Sequence, residues 1–523
     1  MARNFINYVT YSYSGGQNDT DEQDQLAENE AKSIKNAYIR NKGANEKRSG
    51  SSLTGNDTGD TAITGLKSWR EDDGTKWFLS STGTSLRYLN GTAWVDLDDG
   101  FTTGLDTEMV VAGNKAYITN GTDNIHSWDG VATGVNSALT DMGNVNVPKA
   151  KYMVFWKNYM FACGDAVLNS ASTPNRVYFS DLGAPDTYTH ATNYFDVGKS
   201  DGQQITGIAP LDKFLVIFKR HSTYVLSGNS PDDWILSASV NNLQAIENSV
   251  GCVSHRSIIQ VGNDLWFMAD DGIRSLRKSE EGSTLLMGIV SGNIQKTIDS
   301  INSGSIEKTC AGVFNKRVYF AFPTGTNTYN DTVAVADTAV LLDKPYNPHP
   351  WVIYTGWQPS VFTTYTPSTT PQLYFGNASA DSRVIQAETG DIDVACVGTL
   401  ANSGYIDHDY MGPMIDLKQP DMRKTTRFLI ASGEAGGDYD VEVSTSVDGT
   451  TFEKAGDLNL SAGALWGSAI WGQDVWGSGS EIKQKYPIGR ASTQIMVRFR
   501  NNQANQPVKM YPYTLAIKPK KVK

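Results

Sequence analysis

Cysteine is scarce in this chain. The four present, Cys163, Cys252, Cys310 and Cys396, stand far apart, and no two form a C-x-x-C pair. That spacing excludes a metal knuckle and a dithiol redox motif and offers no disulfide framework. The four are expected to be buried free thiols, because an unpaired cysteine packs as a small hydrophobe. A basic excess is missing too. Lys and Arg number 45 against 56 Asp and Glu, a net charge of -11, so there is no electrostatic footprint for gripping nucleic acid. An acidic protein can still surround DNA without holding it. No apolar run approaches the ~20 residues of a membrane helix, and residues 1–10 contain no apolar core of signal-peptide length. The expectation is a protein made, and at least initially used, in the cytosol. Asn90-Gly-Thr92 and Asn120-Gly-Thr122 then read as turn chemistry rather than glycosylation sites. Enzyme signatures are equally poor: there is no H-E-x-x-H, no G-x-S-x-G and no Walker loop. No cofactor is called for.

What the sequence does contain is hairpins. From Ser257 to Leu276, an apolar run meets Gly262-Asn263, a second run ends at Asp270-Asp271-Gly272, and a third follows from Ile273. Short runs rich in β-branched and aromatic residues, bounded by Gly, Asn and Asp, form strands joined by tight turns. Similar units recur from Ile63 to Ile385, at intervals of about 40–50 residues, which is the spacing of β-propeller blades. A single small sheet cannot bury both faces, whereas sheets stacked around an axis can. The expected fold is therefore all-β: a propeller of six or seven blades over residues 61–414, followed by a β-sandwich-like domain over 415–523. In that last part the segments around Tyr439, Gln494 and Tyr513 alternate apolar and polar residues. Ala339–Leu342 is expected as a strand. One helix is expected at 291–302, where Ile294, Ile298 and Ile301 share a face, Ser291 is placed to cap the start and Gly304 to end it. Residues 1–60 are too polar to build a core and are expected as an arm that lies on the body or on a neighbouring subunit.

A few local clusters have chemical potential. Asp407-His408-Asp409 could bind a metal or simply occupy a solvated loop. His126 and His255 are expected to be packing residues in strands. Asp72-Asp-Gly74-Thr-Lys-Trp77 and Ser446-Val-Asp448-Gly449-Thr-Thr-Phe452 partly match the Asp-box of sialidase-type propellers, although any hairpin uses an Asp-Gly turn before an aromatic. Trp466, Trp471 and Trp476 recur every five residues, each followed by glycine. They could anchor a subunit or partner contact, fill a core or stack on sugar. Tyr11, Tyr13 and Tyr38 are further candidates for a subunit interface. Asp98, Asp99, Asp270 and Asp271 are candidates for a channel or loop surface.

The order of several segments resembles a known family. An aromatic start leads to Gly15-Gly16-Gln17-Asn18, then Glu30, Asn36, Tyr38-Ile39, Gly43 and Lys47-Arg48-Ser-Gly50. Later come Arg176-Val-Tyr-Phe-Ser-Asp181, Asn193-Tyr-Phe-Asp196, Leu215-Val-Ile-Phe-Lys219, Asn315-Lys-Arg-Val-Tyr-Phe320 and Arg498-Phe-Arg-Asn501. This order is similar to that of the tail nozzle, or tail hub (DNA-stabilisation), proteins of short-tailed bacteriophages. The resemblance implies a structural virion protein of the tail, made in the host cytoplasm and not an enzyme. It also implies a ring of six copies that extends the portal and adaptor, contacts fibres or spikes, and lets genomic DNA pass without specific binding. Two alternatives stand beside it: a tail or baseplate component of a long-tailed phage, and a propeller that binds or hydrolyses glycan.

Overall fold

The computed structural model describes residues 6–39, 43–56, 61–131, 139–144, 146–189, 192–199, 201–235, 242–278, 285–342, 344, 347–379, 381–396, 404–461 and 481–519. The described chain is all-β, and its body is a seven-bladed propeller. Each blade is a four-stranded antiparallel meander. The first, innermost strands are Ile63–Arg70, Glu108–Ala112, Tyr152–Trp156, Ile205–Leu211, Ile259–Val261, Cys310–Phe314 and Pro359–Tyr365. Neighbouring first strands touch around the ring. Between blades four and six the His255–Ser257 turn takes part in these contacts, and Pro359–Tyr365 packs back against Ile63–Arg70 to close the circle.

The closing blade is not built from consecutive sequence. Its first three strands, Pro359–Tyr365, Gln372–Asn377 and Val384–Ala387, are completed by Ser51–Thr54 from the opposite end of the chain. Blade one starts only nine residues after Thr54, so the ring is joined by the two ends of its own sequence. An unpaired strand edge is thereby covered.

Facing blades bury aromatic and aliphatic side chains against one another. Trp69 and Trp128 meet edge-on at 5.6 Å between blades one and two, and Phe218 and Phe267 lie at 4.7 Å between blades four and five. Each such side chain contributes on the order of 1.5–3 kcal/mol through burial. All four cysteines are free and buried in these cores.

The C-terminal part packs two sheets. In one, Glu481–Ser492, Lys424–Glu434 and Lys509–Pro519 pair in that order, extended by Asn45–Lys47 and Ala37–Ile39, with Ile6–Val9 also pairing on Lys509–Pro519. The other joins the propeller directly. The outer strand of blade six, Trp351–Thr355, pairs with Ser33–Lys35, which pairs in turn with His408–Met411. Met496–Asn501, Asp440–Ser446 and Glu453–Asn459 continue the same nine-stranded sheet.

Residues 6–39 and 43–54 thus lie on the body of this chain and add strands to its sheets. Their apolar side chains are too few to form a core alone, but Tyr13, Ile34, Tyr38 and Ile39 are buried in one supplied by partners 300 and more residues away. Three expectations change. The strand expected at Ala339–Leu342 is instead Thr332–Asp337, whose small side chains fit between Arg317–Phe322 and Trp351–Thr355. Leu341 is exposed. The helix is shorter than the apolar spacing suggests, a 3-10 turn at Gly292–Ile294 running into Gln295–Asp299. Its start is capped from elsewhere: Lys296 and Thr297 donate their backbone N–H groups to the Asp19 carboxylate (3.0 and 3.2 Å). Ser291 Oγ accepts instead from the Ile273 N–H.

Candidate functional site

Chemically capable side chains converge on the propeller axis. The connection from blade four to blade five turns inward as a 3-10 turn, His255–Ser257. Ser257 fixes its end by donating to the Ser254 carbonyl (2.7 Å) and accepting from the Met268 N–H (3.1 Å). Arg256 then crosses to the far side of the ring. It donates to Asp106 (3.1 Å) and to the carbonyls of Thr107 (3.1 Å), Ser360 (3.4 Å) and Thr64. One guanidinium from between blades four and five thus ties the inner elements of blades one and seven. Arginine suits this role because its planar fork presents several donors at once. Lys308 lies 3.5 Å from the other Asp106 oxygen. Desolvation opposes the Asp106 charge, but Arg256 and Lys308 hold its carboxyl below the usual range.

His255 faces back into the ring. Its Nδ1 accepts from the Ile208 N–H at 3.4 Å, its Nε2 lies 3.9 Å from Glu108, and its ring packs on Tyr152 at 4.6 Å. Burial lowers its pKa; Glu108 opposes this, and Arg256 and Lys67 add to it. His255 and Glu108 separate two depressions. One of about 290 Å³ opens on the face that carries the Asp106 and Lys308 loops. The other, of about 470 Å³, opens on the opposite face and includes Lys67, Trp69, Arg70, Phe155 and Pro210.

The sequence did not lead to this site. His255 was expected in a strand, but a turn carries it to the axis. Asp106, Glu108, Arg256 and Lys308 come from separate segments with no common motif. The one local signal was a His-Arg pair beside the Ser257–Leu276 meander.

Most residues singled out from sequence lie elsewhere. Tyr13 and Tyr38 are buried inside this chain and so are not surface contacts; Tyr13 packs edge-on to Tyr410 at 4.8 Å, and Tyr38 bonds Glu388. Tyr11 is 79% exposed. Trp466, Trp471 and Trp476 fall outside the described residues. Asp98 and Asp99 begin the loop between blades one and two, where Asp98 accepts from the Gly100 N–H at 3.0 Å. Asp270 is paired with Arg220 (2.8 Å) and Asp271 with Arg274 (2.5 Å), so neither offers an uncompensated charge.

Asp407-His408-Asp409 is not a solvated loop. Asp407 pairs with Arg500 (3.0 Å), Asp409 with Arg498 (2.7 Å), and His408 is fully buried. No group of three potential ligands is placed to hold a metal among the described residues. At Ser446–Phe452 the box-like motif organises its own turn. Asp448 accepts from Ser446 Oγ (2.8 Å) and from the N–H groups of Thr450 (2.8 Å) and Thr451 (2.7 Å), and Gly449 takes a positive φ of 75°.

No family model matches the chain, and no curated protein matches it. Among solved structures, the chain is similar to the AfRom2 CNH domain at 10% identity and TM-score 0.38, over 65% of this chain and 98% of that one. It is similar to the Pan2 WD40 domain of Neurospora crassa at 8% identity and TM-score 0.33, over 62% and 89%. An exo-beta-1,3-galactanase from Phanerochaete chrysosporium aligns at 9% identity and TM-score 0.26, over 90% and 100%. At these scores none carries an argument about activity; the blade topology itself defines the propeller.

Proposed function

We propose that the protein is a structural component of the tail of a short-tailed bacteriophage, the nozzle at the distal end of the tail tube, and acts without catalysis. The observation that carries the reading is the way residues 6–54 bind the two halves into one body. They complete blade seven, bridge blade six to the C-terminal sheet and extend the second C-terminal sheet. A part that transmits load between an adaptor and fibres or spikes needs such continuity. The order of N-terminal residues that resembles the nozzle proteins is the segment that does this work.

Within a single subunit Arg256 bonds across the centre of the ring, so DNA would pass between copies arranged in a ring. A conduit for DNA should not bind it tightly, because each phosphate neutralised by Lys or Arg adds affinity. The net charge of -11 agrees with weak contact. The reading is tested by duplex-DNA binding at several salt concentrations. Weak binding with a shallow salt dependence supports it. Sub-micromolar binding that collapses steeply as salt rises contradicts it.

A further inference from the structure

The face of the propeller opposite the Asp106 loop carries two adjoining depressions that share Ser68, Trp69 and Arg70. One is the depression of about 470 Å³ that borders His255 and Glu108. The other, of about 510 Å³, lies between blades seven and one and is walled by Lys76, Tyr365 and the hydroxyl-rich strand end and turn at Thr364–Thr369. Their charges are one-sided. Lys67 and Arg70 make no hydrogen bond or ion pair among the described residues, and Lys76 is held only by the Ser368 carbonyl at 2.6 Å. The second depression has no carboxylate in its wall. In the first, Glu108 sits at the floor beside His255. The second depression thus sets Arg70 and Lys76 in a concave wall without a carboxylate, in a chain of net charge -11.

The remaining wall is suited to a hydroxylated ring. Thr364, Thr366, Ser368 and Thr369 supply hydroxyl groups that both donate and accept, and the rings of Tyr365 and Phe155 offer apolar surface. Tyr365 is held flat against Phe78 at 4.6 Å, which fixes its orientation. The indole N–H of Trp69, a residue that lines both depressions, has no acceptor. Depressions of this size in which several polar groups converge beside apolar rings are of the kind that take small ligands.

We infer that this face binds an acidic saccharide, with a sugar carboxylate set on Arg70, the cation that lines both depressions, and an adjoining sugar ring against Tyr365 and the Thr364–Thr369 hydroxyls. This does not depend on the tail assignment; it requires only the propeller. The test is titration calorimetry of the full chain with digalacturonate, and with its uncharged methyl ester as the neutral counterpart. Digalacturonate should bind and the ester should bind at least about tenfold more weakly, the loss expected for one charge-assisted hydrogen bond. R70Q, which replaces a side chain that makes no hydrogen bond or ion pair among the described residues, should lose a similar factor while melting as the parent does. No binding of digalacturonate at millimolar concentration, equal binding of the ester, or unchanged binding by R70Q would overturn the inference.

Discussion

Arg48 and Asp393 face each other in a two-pronged ion pair, with Nη1–Oδ1 at 2.8 Å and Nη2–Oδ2 at 2.5 Å. Arg48 lies just before the strand that closes blade seven, and Asp393 follows the strand it pairs with. The Arg48 side chain has no solvent exposure. Its other donors go to Asn36 Oδ1 and to the carbonyls of Ser49 and Thr355, each at 2.9 Å. All five guanidinium hydrogens thus have acceptors, and the plane lies over Trp357 at 4.6 Å. This one group ties the N-terminal segment to blade six and to the end of the propeller.

Removing one partner of a buried pair leaves the other charged and unsolvated, at a cost of about 3–5 kcal/mol. Arg48→Ala should lose that much in chemical denaturation, and Arg48→Lys should recover only part, since an ammonium cannot reproduce the fork. A loss below about 1 kcal/mol for Arg48→Ala would show that the pair is not the tie described.

Asp19 caps the Gln295–Asp299 helix from a distance of more than 270 residues. Asp19→Ala should cost about 0.5–2 kcal/mol, the usual value of a lost cap. Amide exchange should accelerate first at Lys296 and Thr297. Uniform acceleration over the whole chain, with no local excess, would contradict the capping role.

His408 and Lys47 predict the pH dependence. Burial, aided by the Lys47 charge, pushes the His408 pKa down to about 3, against about 6.5 when unfolded. Between these values the unfolded chain binds the extra proton, so stability is complete above about pH 6.5 and is lost as pH falls toward 3. Burial also pushes Lys47 down to about 8. The unfolded lysine therefore binds more protons between about 8 and 10.5, and this group favours folding increasingly as pH rises through that window. Denaturation from pH 4 to 7 should show a slope that flattens in His408→Asn. An unchanged slope in the variant would reject the assignment.

Deleting residues 1–54 should abolish folding of the propeller as well as of the C-terminal sheets, because Ser51–Thr54 is a strand of blade seven. The readout is soluble yield and a cooperative melting transition. A deleted protein that melts like the parent would contradict this.

The hairpin repeat was legible because Gly, Asn and Asp at the turns mark strand ends within a few residues. Gly262, for example, takes the positive φ that its turn needs. The blade count stayed open between six and seven because Ser51–Thr54 lies some 330 residues from Ala387, and nothing local marks the two as partners. Thr332–Asp337 was passed over for Ala339–Leu342 because Ala and Thr give a weaker apolar signal than Leu, although the tight space between two aromatic strands requires small residues. The axial site was illegible for a related reason: Asp106, Glu108, Arg256 and Lys308 meet only after the ring has closed.

As proposed, the chain works as one subunit of a structural ring in a phage tail. The most direct test is the native mass of the purified full chain, measured together with that of the assembly released from virions. The account predicts a closed ring, six times the subunit mass by resemblance to the nozzle proteins. A protein that stays monomeric at micromolar concentration and is absent from virions would contradict it.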